Sequence, residues 1–153
     1  MLLDDALAGA ELVRGFDGSI VDVGSGGGTP GIPLAAAFPE RAVTLLEAER
    51  RKAEFLEGWT EELPNLNVIW GRAESQRPDR YGVAVAKALA NPPVAAEWCL
   101  PLVAPDGAVV LWVGPSVEPE RVAAVAERIA GELIESPPGF PRRPGMARKR
   151  PLA

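Results

Sequence analysis

The segment Ser19–Val23 followed by Gly24-Ser-Gly26-Gly-Gly28-Thr-Pro30-Gly31-Ile-Pro constrains the chain more than any other. A short apolar, β-branched run carries Asp22 near its end and then meets glycines at alternate positions, Gly24, Gly26 and Gly28. Glycine tolerates positive φ and removes the side chains that would block close approach of backbone to a ligand. Pro30 suits the first turn of a helix, whose free N–H groups are expected to point at that ligand. This strand–loop–helix unit is how an α/β domain lays its main chain against a nucleoside cofactor.

The rest of the chain repeats the theme. Short apolar runs at Ser19–Val23, Ala42–Leu46, Asn67–Trp70, Gly82–Ala86 and Ala108–Val113 suit strands covered on both faces. Helical patterns separate them: Pro30–Phe38, Glu49–Glu61, Val94–Val103 and Glu118–Ala130, with a leading helix over Leu3–Leu12. Glu49–Glu61 is expected to bury Ala53, Phe55, Leu56 and Trp59 and to expose Arg50, Arg51 and Glu54. Pro105-Asp-Gly107 reads as the turn before the fifth strand, Gly131 as a helix stop, Glu132–Glu135 as a sixth strand, and a last strand is expected near Lys149–Leu152. The alternation argues for a Rossmann-like, doubly wound, mostly parallel sheet with its site at the carboxyl ends of the strands. All 153 residues fit one domain, with a basic Pro/Arg-rich segment over 137–153.

Composition narrows the chemistry. There is no histidine, which excludes His-based triads and His-ligated metals, and one cysteine, Cys99, cannot build a zinc site or a disulfide framework. No metal is expected, and Cys99 reads as core filling. The start of the chain lacks a basic secretory leader, and no apolar run approaches the ~18 residues of a membrane span. A cytoplasmic protein, monomeric and without a membrane partner, is the expectation. The net charge is −5, yet five of the 16 basic residues and no acid lie beyond residue 135, leaving 11 basic against 21 acidic residues before it. An acidic body with a basic end localises any polyanion contact, so Arg142, Arg143, Arg148, Lys149 and Arg150 are the candidate phosphate contacts.

The glycine loop by itself leaves the cofactor open. Gly26, Gly28 and Gly31 even satisfy the dinucleotide pattern G-x-G-x-x-G, whereas a Walker loop is excluded because no Gly-Lys-Ser/Thr follows. Two details favour S-adenosylmethionine (SAM). Asp22 stands two residues before Gly24, in the D-x-G-x-G-x-G form of SAM methyltransferases, where a carboxylate can face the cofactor's ammonium group. The loop carries no cation, and SAM has no phosphate to neutralise. Glu47 ends the second strand, where a carboxylate accepts hydrogen bonds from both ribose hydroxyls. Gly24, Ser25, Gly26, Gly28, Pro30 and Ala48 complete the expected cofactor contacts.

The stretch Asp22-Val-Gly-Ser-Gly-Gly-Gly-Thr-Pro-Gly-Ile-Pro-Leu34 resembles the signature of the glucose-inhibited division protein B family. These are bacterial methyltransferases acting on a guanine N7 of small-subunit (16S) ribosomal RNA. The resemblance continues through Leu46–Leu56, Gly71-Arg-Ala-Glu74, Ala86–Ala90, Cys99–Leu102 and Phe140-Pro-Arg-Arg-Pro-Gly-Met-Ala-Arg-Lys-Arg-Pro-Leu152. It implies a class I SAM-dependent methyltransferase fold, SAM as cofactor, and 16S rRNA or the small ribosomal subunit as partner. It also implies that Arg72, Ala73 and Glu74 form the loop beside the adenine, with main-chain groups of Ala73 and Glu74 at its Watson–Crick edge. Arg72 and Glu74 read equally well as a surface ion pair. Family members usually extend several dozen residues to the N-terminal side of the segment like Leu2–Ala8, a region that helps build the outer wall of the site.

Guanine N7 is a lone-pair nucleophile with no proton to lose. Methyl transfer to it needs positioning and a tolerable field more than a general base, which a chain without histidine can supply. Lys87, ending the fourth strand, is the candidate catalytic residue on the acceptor side; the family usually shows arginine there, and lysine keeps the charge but not the bidentate fork. Val113 stands where the family usually shows lysine. Trp112 reads as core more readily than as a stacking face for a base. Two alternatives stay open: a catalytically weak or inactive SAM- or ribosome-binding paralogue, and a small-molecule methyltransferase on the same fold.

Overall fold

The structure, a computed structural model, describes residues 2–113, 118–129, 131–134 and 144–149. Among these residues one sheet holds β1 (Ile20–Val23), β2 (Val43–Glu47), β3 (Leu66–Trp70), β4 (Tyr81–Lys87), β5 (Val103–Trp112), β6 (Gly131–Ile134) and β7 (Pro144–Lys149). The spatial order is β3-β2-β1-β4-β5-β7-β6. Strands β1 to β5 run parallel, and β7 lies antiparallel to both β5 and β6. The doubly wound, mostly parallel sheet is therefore as expected. Strand order reverses between β1 and β4, and the carboxyl ends of those two strands open the crevice where such sheets bind ligands.

The described helices are α1 (Leu2–Arg14), α2 (Gly31–Ala37), α3 (Arg50–Glu57), α4 (Pro92–Cys99) and α5 (Pro119–Arg128). They cover both faces of the sheet because alternate strand residues point opposite ways. Ile20, Val43, Leu45, Val83 and Val85 pack with Val13, Leu34, Phe38 and Leu56. Val21, Val23, Leu46, Ala84 and Val109 pack with Ala96, Cys99, Val122 and Ala126 on the other face. Fully burying one such Leu or Val contributes roughly 1.5–3 kcal/mol, so the two clusters dominate stability. Cys99 is fully buried, and burial pushes its thiol well above the ordinary range, as core filling requires.

Several local expectations are corrected. Phe55 is 60% exposed and Trp59 37% exposed, not buried. The helix ends at Glu57, and its inward stripe is Ala53 and Leu56; Phe55 sits one position before Leu56, about 100° round the axis. Pro105-Asp106-Gly107 is not a turn between elements but a bulge inside β5. The pairing with β4 steps from Tyr81↔Val103 to Val83↔Ala108, and Asp106 takes φ +68°. Helix α4 starts at Pro92, earlier than the apolar pattern, because the Asn91 side chain accepts the Val94 N–H at 3.3 Å. The last strand is Pro144–Lys149, upstream of its expected place.

Candidate functional site

The loop after β1 bends as its composition demands. Gly24, Gly26 and Gly28 all have positive φ, at +71°, +55° and +96°. Hydrogen bonds from Gly24 N (2.8 Å) and Ser25 N (3.2 Å) to Leu46 O tie the bend to β2, and Gly28 N donates to Ser25 O at 2.7 Å. The Ser25 hydroxyl closes the bend by donating to Asp22 O at 2.8 Å. A Cβ on Gly27 would meet nothing within 4 Å, and one on Gly26 only Gly24 O at 3.9 Å, so the bend is open on its outer side.

Glu47 is the organiser of this corner. It is nearly buried, and its two carboxylate oxygens each accept one main-chain N–H, Oε2 from Gly26 at 2.7 Å and Oε1 from Glu49 at 2.8 Å. Each oxygen keeps a second lone pair, so the carboxylate is held in a fixed plane with acceptor capacity left for a pair of hydroxyls. Gly71 N donates to Glu47 O at 2.9 Å, which brings the Gly71–Glu74 loop to the same corner. There Ala73 is buried in a single 3-10 turn, while Arg72 and Glu74 are exposed and form no ion pair with each other among the described residues.

Asp22 lies under the loop, almost without exposure. Its Oδ2 accepts Gly31 N–H at 2.9 Å, and its Oδ1 has no hydrogen-bond partner among the described residues. Burial lifts this carboxyl from 3.8 to about 7, against the opposing pull of the Gly31 N–H. The requirement for glycine at position 31 is steric. A Cβ there would stand 2.6 Å from Asp22 Oδ2 and would also strike Leu45. One part of the sequence reading is thereby revised: the first N–H of α2 is taken by Asp22 rather than offered outward. The Pro30-Gly31 extension of the loop exists to seat α2 on that acid.

Across the crevice the fabric is different. Lys87 ends β4 opposite Trp112 of β5, as expected, with its Nζ shielded from solvent. Ala88 takes φ +53°, and the turn it makes lets Leu89 lie directly over Gly24, where a Cβ would collide with the leucine. Trp112 packs against α1, where a Cβ at Gly9 would overlap its indole, and it lies partly buried against the core as its core reading expects. Val113 packs on the apolar cluster beneath α4 and α5.

The basic candidates divide. Arg142, Arg143 and Arg150 lie outside the described residues, as does the side chain of Arg148, whose main chain pairs with Ala108 and Glu132. Lys149 is engaged by the fold itself: its Nζ pairs with Asp79 and donates to Val103 O at 3.1 Å. Val103 begins β5, so Lys149 sits at the end of the sheet opposite the glycine loop. The phosphate role expected of it is not what this geometry offers.

Residues 1–135 match the family described as GidB, rRNA small subunit methyltransferase G. The chain belongs to that family. Among curated relatives, "Ribosomal RNA small subunit methyltransferase G" of Pelotomaculum thermopropionicum is 37% identical over 97% of this chain and 76% of its own. The protein of the same name from Synechococcus elongatus is 32% identical over 92% of this chain and 72% of its own. Solved structures share the fold at low identity. A SAM-dependent O-methyltransferase from Thermotoga maritima superposes with a TM-score of 0.72 at 16% identity, covering 98% of this chain and 66% of that one. M. jannaschii TYW2 in complex with AdoMet gives 0.70 at 16% identity over 96% and 77%. At such identity these two speak for the architecture alone, that of class I SAM-dependent methyltransferases.

Proposed function

We propose that the protein transfers a methyl group from SAM to N7 of a guanine in small-subunit (16S) ribosomal RNA, as a monomer in the cytoplasm. The observation that carries the reading is the corner made by the ends of β1 and β2. An outward-open glycine bend is held between a fixed, nearly buried carboxylate and a second buried acid with an unpartnered oxygen. That arrangement suits a ligand with a diol at one end and a cation at the other, which SAM is. The acceptor class comes from the relatives, which are named ribosomal RNA small subunit methyltransferase G.

Each residue then has a defined task. Glu47 accepts the ribose hydroxyls, and Asp22 faces the ammonium of the methionine part. The main chain of Gly24, Ser25, Gly26 and Gly28 forms the floor, shaped from beneath by Pro30. Ala48 and the main chain of Ala73 and Glu74 border the adenine, with Arg72 at the outer rim. When bound, SAM supplies a methyl group already activated on a sulfonium. Lys87, whose Nζ is shielded in this structure, is the acceptor-side cation and acts on the bound guanine through the local field, and no side chain has to remove a proton from N7. Arg142, Arg143, Arg148 and Arg150 are the candidates for contacts along the RNA backbone.

The deciding experiment is transfer of labelled methyl groups to small ribosomal subunits, mapped by the strand scission specific to 7-methylguanosine. One strong scission site is expected. SAM binding with no transfer to 16S rRNA or to subunits would reject the reading in favour of a binding paralogue. Transfer to a small acceptor alone would favour a small-molecule enzyme.

A further inference from the structure

We infer that Trp70, backed by Arg50, is a stacking platform for an unpaired base of the RNA, with Arg51 taking up an adjacent phosphate. This rests on the ribosomal RNA reading above and names a contact surface outside the methyl-transfer crevice.

Trp70 ends β3, an edge strand of the sheet, and is 60% exposed. Leaving an indole in water forfeits one of the largest burial gains a side chain can make. It is nevertheless held in place. Its Nε1–H donates to Ala48 O at 3.1 Å, and the Arg50 guanidinium lies over the ring, 5.4 Å from its centroid. Arg50 is fixed in turn by Glu54, at 2.8 Å. The indole is thus immobilised by one edge and backed by a cation, while much of the ring stays open to solvent. A ligand stacking on it has little side-chain entropy left to remove.

Its position relative to the site is defined by strand register. Trp70 pairs with Glu47, the carboxylate assigned to the ribose, so the platform borders the crevice on its β3 side. Cations and a second aromatic accompany it. Arg51 is exposed and has no ion pair among the described residues, in contrast to Lys52, which Glu49 holds at 2.8 Å. Phe55, one turn after Arg51 on α3, is also 60% exposed. Protein interfaces concentrate aromatics in a core depleted of charge. Arginine is enriched with aromatics in protein interfaces too, and Glu54 and Glu57 are exposed on the same helix. It is therefore the ribosomal RNA reading that selects a base-stacking role here, with Arg51, unpaired among the described residues, as the accompanying cation.

The test compares wild type, Trp70→Ala and Trp70→Phe in two assays: binding of a labelled single-stranded 16S rRNA fragment, and methyl transfer to small subunits. Trp70→Ala is expected to weaken fragment binding and raise KM for subunits roughly tenfold or more. Its kcat, SAM affinity and melting temperature should stay near wild type, and Trp70→Phe should recover most of the loss. Arg51→Ala should lower the slope of log affinity against log salt by about 0.7. Unchanged RNA binding in Trp70→Ala overturns the proposal. Equal losses in the Ala and Phe variants also overturn it, because the bond to Ala48 rather than the ring would then matter. A parallel loss of SAM affinity does so too, because the indole would belong to the cofactor rim. If wild type binds the fragment but transfers no methyl, the function reading falls, while the binding assay still judges the platform.

Discussion

The two sides of the crevice are built by different means. On the β1–β2 side, hydrogen bonds from main-chain N–H groups hold two nearly buried carboxylates, and the bend between them is left open. On the β4–β5 side, packing does the work: Leu89 on Gly24, Trp112 on Gly9 and Val113 on the core, with Lys87 as the cation at the strand end. Polar cradles are rigid in geometry and costly in desolvation, so they fit one ligand that is always the same.

The largest expected effect that could break this contrast is at Asp22. Its carboxyl binds a proton in the folded chain up to about pH 7 but releases it near 3.8 when unfolded. Between those values the folded state holds more protons, so apo stability falls as pH rises through the window and is lowest above it. The 3-unit gap is worth on the order of 4 kcal/mol. Asp22→Asn should therefore melt higher than wild type at pH 8, with the advantage vanishing toward pH 4, while binding SAM more weakly. Thermal melts across pH with SAM titrations would check both signs; a variant less stable than wild type at pH 8 would remove the claim that this acid is kept for its ligand.

Next is Glu47→Ala, which deletes the proposed ribose acceptor and frees the Gly26 and Glu49 N–H groups together. Hydrogen bonds to charged groups contribute about 1.5–3 kcal/mol each, so a loss in SAM affinity of roughly 100-fold is expected by calorimetry. An affinity within threefold of wild type would show that the cradle is not the cofactor site. Lys87→Met should act on the other side alone, lowering the transfer rate about tenfold with SAM affinity unchanged. A loss of SAM affinity instead would erase the division between the two sides. The smallest effect is at Ala88. Its φ of +53° suits glycine, so Ala88→Gly relieves about 1 kcal/mol of strain but loosens the unfolded chain by a comparable amount. A melting shift of no more than a few degrees is expected, and a large loss would reveal a packing role for the methyl group.

The same contrast governs what was legible beforehand. Gly24, Gly26, Gly28, Asp22 and Glu47 declare themselves because each answers a local backbone or charge requirement at short sequence spacing. The five parallel strands declare themselves through β-branched runs. What escaped depends on partners distant in the chain. Nothing near Phe55 says that α3 stops too soon to bury it. Nothing near Gly31 says that it must approach Asp22, nine residues back, and nothing near Lys149 says that Asp79 will hold it. A basic cluster looks the same in sequence whether its lysine meets phosphate or latches a strand.

Strand β6 precedes β7 in the chain, yet β7 lies between it and β5. During synthesis, β6 leaves the ribosome before β7, its one strand partner among the described residues, and the outer edge of β5, Ala108–Trp112, waits for the same segment. The nascent protein thus carries an open apolar edge until β7 threads into the gap, an interval of exposure to misassembly. The Lys149–Asp79 pair then ties the trailing end of β7 to the loop before β4.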